Sequence, residues 1–393
     1  MSTYQIFTQA LAEHFANEYS DLFGSQSKLT TELLKESRQN LVFRVKNQFG
    51  RSLIVKQALP YNHAAGPQTP LTVDRARVEA EVLISQRKLA PDQVVEILHF
   101  SKEQSAILME DLHDHQLLNK ALLVGRELPG LAEQLAHYLA HSSFYTSDFG
   151  QSSSSKRAGI AKYLNPELCL ITEELAFTDP YCHHERNEVS TALRPQAQRI
   201  WLDEKIKTEV AELKLKFTSQ PQALIHGDLH CGSIFVTDSS VKVTDAEFAC
   251  YGPIAFDLGT LIGSFLAIYL SVPAVIPAVS ARQQIFLRAE IRQLWQQFAA
   301  EFLALATRET RDSALQSDET QQRYVTSIQR DALGFAGIEL MRRVIGMEPI
   351  KELNQVKDAN LRLQVEHNML QLAEKLILGY RQFHHIDQIL AQL

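Results

Sequence analysis

Two aspartates in the segment from Leu224 to Phe248 stand at positions suited to phosphoryl transfer. An apolar entry leads to His226-Gly227-Asp228, and a predicted hairpin over residues 234–243 then leads to Asp245. Such a hairpin delivers both carboxylates to one site. Phosphoryl transfer needs one Asp to orient the attacking hydroxyl and accept its proton, and another to hold Mg²⁺ on the phosphates. Two turn aspartates beside a hairpin are the alternative interpretation, since they are common. The HGD sequence, the interval and the second Asp together speak against it.

The pattern from His226 to Asp245 resembles a group of small-molecule kinases that includes the aminoglycoside phosphotransferases, choline kinases and methylthioribose kinases. Most of that group carry Asn, a second Mg²⁺ ligand, five residues after the first Asp, where this chain has Ser233. The second motif reads Asp-Ala-Glu-Phe and so places Glu247 near Asp245. These departures fit each other, because Glu247 can supply the hard oxygen ligand that Ser233 cannot. The combination resembles the methylthioribose kinase family in particular, over residues 40 to 380.

The segment around Lys56 resembles the strand that carries the ATP lysine in that family. A lysine at a strand end can reach the α- and β-phosphates, although a single strand lysine is often only a surface residue. The segment from Pro70 to Glu79 resembles the family's next helix, which would offer Glu79 to Lys56. Glu81 is the competitor, and its position two residues on turns it to another face of the helix.

The resemblance places the adenine-binding hinge at Glu110, Asp111 and Leu112. There the carbonyl of Glu110 and the amide of Leu112 would bind adenine, so the side chains need not touch it. The alternative is that Glu110 and Asp111 are simply solvated charges.

The stretch from Leu34 to Asn40 is where this chain departs most from the family, whose members have a Gly-rich phosphate loop there. It contains no glycine, and such a loop cannot easily place backbone amides close to phosphate. Either Lys35 and Arg38 substitute side-chain charge, or ATP binding is weaker, or the loop between Lys35 and Gln39 is remodelled. Asn40, where the next strand begins, is assigned to the ATP site.

Arg342 and Arg343 lie together in an otherwise apolar helical segment, where adjacent charges are costly unless something polar meets them. The resemblance implies that they contact the sugar and the transferring phosphate. Arginine offers planar, forked donors for vicinal hydroxyls and phosphoryl oxygens. A pair of charges favoured by the dipole at the end of a helix is the alternative. A second block, from Asn165 to Tyr181, resembles an insertion of the same family.

The elements that must position these residues form a small strand-rich part followed by a larger helical part. Strands are predicted over 40–46, 53–55, 94–100 and 106–109, and a helix over 73–88. Helical spacing then recurs over 132–141, 195–217, 282–307, 321–345 and 360–383, while Ser152–Ser155 is predicted to be an exposed loop. We therefore expect an α+β, two-lobed protein-kinase-like fold. Its N-lobe covers residues 1–112, with about five strands, and its mainly helical C-lobe covers residues 113–393.

The uncharged stretch from Leu258 to Ser280 is long enough to mimic a membrane span. Pro273 and Pro277 interrupt its second half, so we predict a buried helix over Leu258–Leu270 followed by a loop.

The composition is that of an ordinary globular protein, with 45% hydrophobic residues among 393 and a net charge of −7. The sequence contains no run of Lys and Arg residues of the kind that indicates a nucleic-acid partner. The four cysteines show no CxxC pairing, and the N-terminal segment lacks the order of a signal peptide. We expect a cytoplasmic protein with a small-molecule substrate and neither a nucleic-acid nor a membrane partner, and the resemblance implies a homodimer.

The reaction that the resemblance implies is transfer from ATP to the anomeric hydroxyl of 5-methylthioribose. Asp228 would orient that hydroxyl and take its proton, Asp245 and Glu247 would hold Mg²⁺, and Lys56 would neutralise the phosphates. One alternative keeps the chemistry with another acceptor, such as an aminoglycoside, choline, homoserine or a sugar. The other, favoured by the Gly-free loop, is a nucleotide-binding pseudokinase.

Overall fold

The computed structural model describes residues 4–24, 27–34, 39–63, 66–347, 353, 356–383 and 385–393. Within these residues, the first part of the chain forms an antiparallel sheet of five strands in the order β1-β2-β3-β5-β4, with a helix on each side. The elements of this lobe are α1 (Gln9–Glu18), β1 (Leu29–Leu33), β2 (Asn40–Asn47), β3 (Ser52–Ala58), α2 (Arg75–Leu89), β4 (Ile97–Ser101) and β5 (Ala106–Glu110).

Alternating side chains on β2 and β3 divide the sheet into two buried faces. Phe43 pairs with Val55, and Val45 with Leu53, and all four pack with Phe15 of α1 in a small core. On the other face, residues such as Ile54 and Ile107 join the main core of the molecule together with α2. The turn between β2 and β3 contains Gly50, whose φ of +86° lies in the left-handed region that favours glycine.

The second part of the chain is mainly helical, with two small antiparallel sheets whose strands lead into the motif residues. Strand β7 pairs with β10, and β8 lies between β6 and β9. Its elements are β6 (Gln116–Leu117), α3 (Leu118–Leu123), α4 (Leu131–Thr146), α5 (Ser153–Lys162), α6 (Pro166–Phe177), α7 (Arg194–Leu202), α8 (Glu204–Ser219), β7 (Ala223–Ile225), β8 (Ile234–Val236), β9 (Val241–Val243), β10 (Cys250–Gly252), α9 (Ile254–Val275), α10 (Ser280–Glu309), α11 (Asp318–Val344), α12 (Ala359–Gly379) and α13 (Asp387–Leu390). This architecture confirms the predicted two-lobed α+β class.

Helix α9 is longer than predicted, because Pro273 lies inside its last turn instead of ending it. A proline removes the hydrogen bond to the carbonyl four residues before it, here that of Tyr269. The side-chain amide of Gln284 donates to that carbonyl at 3.2 Å and so replaces the lost bond. Among the described residues α9 is the one helix long and apolar enough to span a membrane, and most of it is buried inside the lobe.

Two further predictions of local structure were wrong, both because a short polar side chain caps a helix. The helix predicted over 195–217 is divided at Asp203, whose carboxylate accepts from the backbone N–H groups of Lys205 and Ile206 and starts α8. The predicted loop Ser152–Ser155 instead begins α5, with the Ser152 hydroxyl accepting from the N–H of Ser155. Side-chain oxygens of this kind satisfy the free N–H groups of a first helical turn.

Candidate active site

The loop after β7 is fixed by a buried carboxylate on α9. Asp257 accepts from the backbone N–H groups of His226 at 2.6 Å and Gly227 at 3.0 Å. Burial nevertheless raises the pKa of Asp257 above its ordinary value. The ring of His226 lies 2.7 Å from the carbonyl of Thr244, which joins the loop to the strand before Asp245.

Gly227 brings the two motifs into direct backbone contact. Its φ is +84°, and a Cβ at this position would come within 2.2 Å of the carbonyl oxygen of Phe248. Only glycine accommodates both conditions. The HGD segment and the segment that follows Asp245 are therefore packed against each other, as the sequence predicted.

Asp228 lies at the end of this loop between two positively charged or chargeable groups. Its Oδ1 accepts from Nη2 of Arg342 at 2.8 Å, and its Oδ2 lies 3.4 Å from Nε2 of His230. Burial would raise the pKa of Asp228, but His230 and Arg342 outweigh it and hold the pKa well below the ordinary value. The carboxylate is thus ionised and 28% exposed, so it is able to accept a hydrogen bond from an incoming hydroxyl.

Ser233 stabilises the loop itself. Its Oγ lies 3.2 Å from the carbonyl of Asp228 and 2.9 Å from that of His230, and it accepts from the N–H of His230 at 3.2 Å. The hydroxyl thus closes the turn that presents Asp228. The ring of His230 accepts from the N–H of Gly232 at 2.8 Å and so helps to order this turn.

Lys56, Glu79 and Asp245 form a continuous chain of charges between the lobes. Nζ of Lys56 lies 2.7 Å from Oε1 of Glu79 and 2.6 Å from Oδ1 of Asp245. Glu79 therefore takes the position predicted for it, whereas Glu81 lies on the other side of α2 with Arg77 and Lys162.

The ionisation of this chain follows from its burial. Burial raises the pKa of Glu79 to about 7, although Lys56 opposes the shift. Burial also acts to raise the pKa of Asp245, but the charge of Lys56 outweighs it and lowers that pKa. Burial would lower the pKa of Lys56, yet Asp245 and Glu79 raise it. The lysine is therefore positively charged, as a group that neutralises phosphate must be.

Glu247 is held by two residues of the other lobe. Its Oε2 accepts from the side-chain amide of Asn40 at 3.1 Å and lies 3.2 Å from Nε of Arg75. Arg75 is fully buried and also donates to the carbonyl of Gln39 and to Oδ1 of Asn40, each at 3.0 Å. The start of β2 is thus tied to the second motif through one arginine.

Arg75 is a site residue that sequence reasoning missed. Two arginines, Arg75 and Arg77, stand two apart in the same segment, and the second forms partly exposed ion pairs with Asp74 and Glu81. The signal available in the sequence was the position of Arg75 in the first turn of the helix predicted over 73–88, whereas its contacts with the start of β2 come from the structure. Of the predicted phosphate loop, Lys35 and Arg38 lie outside the described residues.

The predicted hinge follows the end of β5. Glu110 closes that strand, and its carboxylate accepts from the N–H of Glu96 at 2.7 Å. The alternative interpretation of Asp111 as a solvated charge was wrong, because its side chain is only 2% exposed and pairs with Arg44 at 2.7 Å. The carbonyl of Leu112 accepts from the N–H of His115 at 3.0 Å. These bonds fix the backbone that joins the lobes.

Arg342 and Arg343 both bond to one buried carboxylate in the last turn of α11. Glu339 accepts from Nε of Arg342 and, at 2.7 Å, from Nε of Arg343. The arginines outweigh the effect of burial and lower the pKa of Glu339. Glu339 was also missed from the sequence, although it lies three and four residues before the arginines and therefore on their face of the helix. Because Arg342 also reaches Asp228, this pair does more than complement a helix dipole.

Comparison with known proteins places the chain among phosphotransferases. The model of the phosphotransferase enzyme family matches residues 30–300. A methylthioribose kinase of Yersinia pseudotuberculosis is 41% identical over 99% of this chain and 95% of its own length, and one of Pectobacterium atrosepticum is 40% identical over 100% and 99%. A solved ethanolamine kinase of Plasmodium vivax aligns with 86% of this chain and 81% of its own at 15% identity and a TM-score of 0.44.

Proposed function

Because this chain belongs to the methylthioribose kinases of the phosphotransferase enzyme family, we propose that it transfers the γ-phosphoryl group of ATP to the 1-hydroxyl of 5-methylthioribose. The observation that carries the assignment of roles is the 2.8 Å contact between Asp228 and Arg342. It joins a carboxylate able to accept a proton to an arginine able to bind an anionic or hydroxylated substrate. The match along the whole length of known methylthioribose kinases supports the choice of acceptor.

Asp228 is the proposed base. The anomeric hydroxyl donates to its carboxylate, which aligns the oxygen for in-line attack on the γ-phosphorus and takes the proton as the new P–O bond forms and the bond to ADP breaks. Its lowered pKa makes it a weak base in the ground state. Orientation of the hydroxyl is therefore its main contribution, and the proton need move only late in the reaction.

Arg342 and Arg343 are the proposed contacts to the sugar and the transferring phosphoryl group. Glu339 accepts from the Nε atoms of both guanidinium groups, and Nη2 of Arg342 reaches Asp228 at 2.8 Å. Such donors stabilise negative charge that develops on phosphoryl oxygens in the transition state. Because Glu339 already holds the guanidinium groups in place, they need little reorganisation when the reaction occurs.

On the nucleotide side, Lys56 is proposed to bind the α- and β-phosphates and Glu79 to hold it in place. Asn40 and the backbone at Glu110, Asp111 and Leu112 complete the proposed ATP site. In the structure Lys56 bonds to Asp245, and arriving phosphates would share this cation.

Asp245 and Glu247 are the proposed Mg²⁺ ligands. The donor set fits the ion, since both side chains are carboxylates and Mg²⁺ prefers hard oxygen ligands. When bound, Mg²⁺ neutralises charge on the phosphates. Asn40 and Arg75 position Glu247 from the opposite lobe, so the placement of this ligand depends on the contact between the lobes.

Several wider attributes rest on the family resemblance and are proposed with it. They are a place in methionine salvage, a cytoplasmic location, a homodimeric state and a lobe boundary after Leu112. The net charge of −7 supports a small-molecule rather than a nucleic-acid partner. Light scattering after size-exclusion chromatography tests the dimer, which would have about twice the chain mass of 44.4 kDa.

The test of the proposed function is ADP release by the purified protein with Mg-ATP and 5-methylthioribose, with choline, kanamycin and homoserine alongside. Of these four acceptors, we expect only methylthioribose to be phosphorylated. Its product should give a phosphorus NMR signal from an anomeric phosphate. Turnover with another acceptor would keep the mechanism and overturn the substrate. ATP binding without turnover on any acceptor would overturn the proposed catalytic function.

A further inference from the structure

A cluster of two histidines and one glutamate joins α4 to α10, on helices that carry none of the site residues named above. His137 and His141 lie one turn apart on α4 and both face Glu301 of α10. Nδ1 of His137 is 2.7 Å and Nε2 of His141 is 3.1 Å from the same oxygen, Oε1 of Glu301. The two imidazole rings have centroids 4.0 Å apart. Three ligand-type atoms thus converge on one point.

The chemistry of this set is that of a transition-metal site. Two histidines spaced by four on a helix, together with a carboxylate, form a recurrent Zn²⁺ ligand set, with bonds of about 2.0–2.2 Å. In tetrahedral geometry such bonds separate neighbouring ligand atoms by about 3.3 Å. The three ligand atoms lie within 4.8 Å of one another. To reach that spacing, the contact of His137 with Glu301 opens from 2.7 Å by about 0.6 Å and that of His141 from 3.1 Å by about 0.2 Å, which small side-chain rotations supply.

The cluster is also accessible. The side chains of His137, His141 and Glu301 are 36%, 19% and 30% exposed. An ion can enter from solvent, and a water molecule can complete four-fold coordination. Neutral imidazole nitrogens favour Zn²⁺, Co²⁺ or Ni²⁺, whereas Mg²⁺ favours oxygen ligands. The cluster therefore differs in metal preference from the carboxylates Asp245 and Glu247.

We propose that His137, His141 and Glu301 bind one Zn²⁺ or chemically similar transition-metal ion, which clamps α4 to α10. The bound ion would stabilise the structure near the active site, because α4 contacts the strand that leads into the catalytic loop. Its last residue, Thr146, accepts from the N–H of Leu224 at 3.0 Å in the strand that leads into His226. The three side chains can also hold one another by hydrogen bonds alone, and the experiment separates the two arrangements.

The test is titration of the untagged, chelator-treated protein with Co²⁺. Mg²⁺ is present at millimolar concentration throughout, so that it occupies the sites made of oxygen ligands. We expect one equivalent to bind with the visible d–d absorption of a low-coordinate site containing nitrogen ligands, and Zn²⁺ to displace it stoichiometrically. His137→Ala and Glu301→Gln should each weaken Zn²⁺ binding by more than about 100-fold, since loss of even an outer partner costs about 10–100-fold. Zn²⁺ should raise the melting temperature of the wild type but not of these variants.

A matched control is His14→Ala, which removes a histidine from the exposed pair with Glu18 on α1, where the separation is 3.4 Å. It should bind Co²⁺ and Zn²⁺ like the wild type. The proposal is overturned if the folded wild type does not bind one equivalent of metal. It is also overturned if His137→Ala and Glu301→Gln leave metal binding unchanged. Either result would leave a cluster held by hydrogen bonds alone. Circular dichroism of each variant shows that it has folded.

Discussion

At the scale of single residues, the site consists of charges that are each held by a partner from another element. Asp228 has Arg342, Lys56 has Glu79 and Asp245, and Glu247 has Arg75. Unpaired buried charges are strongly destabilising, so each group needs its counter-ion before substrate arrives. The pairs also keep the side chains in place for the reaction.

Arg342→Lys tests whether the forked guanidinium is needed. Lysine keeps the charge but cannot bond both Glu339 and Asp228 in the same plane. We expect kcat/KM for methylthioribose to fall about 100-fold, as when one donor to a developing negative charge is lost, with the KM for ATP little changed. Steady-state kinetics measures both.

Arg323→Lys on the same helix is the matched control, because its exposed guanidinium pairs with the exposed Glu319 one turn away. It should retain wild-type kinetics. Equal kinetics for Arg342→Lys and the wild type would contradict the role of Arg342.

Glu247→Gln tests the second proposed Mg²⁺ ligand. The amide oxygen can still accept from Asn40 and Arg75, but it lacks the charge that Mg²⁺ prefers. We expect the Mg²⁺ concentration for half-maximal activity to rise about 10-fold or more, while the KM for methylthioribose stays the same. Glu81→Gln, on the far side of α2, should leave the Mg²⁺ dependence unchanged. An unchanged dependence in Glu247→Gln would remove this residue from the metal site.

At the scale of elements, close helix packing determines where the arginine pair lies. Gly263 of α9 faces Glu339 of α11, and a Cβ at Gly263 would come within 2.8 Å of the Cβ of Glu339. Gly259 likewise admits the backbone of α11 near Ala332. These glycines allow α11 to approach α9, which also supplies Asp257 to the catalytic loop. Helix α9 thus positions both the loop of Asp228 and the arginine pair, of which Arg342 reaches Asp228.

Glu290→Gln tests a buried carboxyl between α4 and α10. Glu290 accepts from the N–H of Ala132 at 2.8 Å, and burial raises its pKa from 4.5 to about 7. The folded protein therefore holds a proton that the unfolded chain releases. This contribution to stability is fully present below about pH 4.5 and is lost as the pH rises through about 7.

The variant is neutral at every pH, so its melting temperature relative to the wild type should rise between pH 5 and pH 8. The pKa shift of Glu290 limits the pH-dependent change in the free energy of unfolding to about 3 kcal/mol. Glu319→Gln, exposed on α11, should show no such pH dependence. A constant difference between Glu290→Gln and the wild type would show that Glu290 keeps its ordinary pKa.

Local patterns in the sequence predicted the elements and the local motifs of the site well. The hairpin before Asp245 follows from its short apolar runs, and helical spacing separates Glu79 from Glu81. The family resemblance supplied the pairing of Glu79 with Lys56, which the structure contains. Helix ends were less predictable, because Pro273 is compensated by Gln284 from a later helix. No periodicity encodes a bond between residues so far apart in the chain.

At the scale of the whole molecule, the site is assembled by contacts between distant segments. Asp228 and Arg342 are 114 residues apart, and Asn40 and Glu247 are 207 apart. The sequence named all four, but the resemblance to a family supplied their grouping. Arg75 and Glu339 were missed because they bond to other site residues and belong to no recognisable motif.

The measurement that tests the central claim most directly is the formation of ADP and a sugar phosphate from Mg-ATP and 5-methylthioribose by the wild type and Asp228→Asn. The variant keeps the size of the side chain but loses the charge that binds Arg342 and accepts the proton. We predict turnover by the wild type and a loss of at least about 100-fold in kcat in the variant, with ATP affinity by calorimetry largely retained. Undiminished turnover by Asp228→Asn would contradict the mechanism.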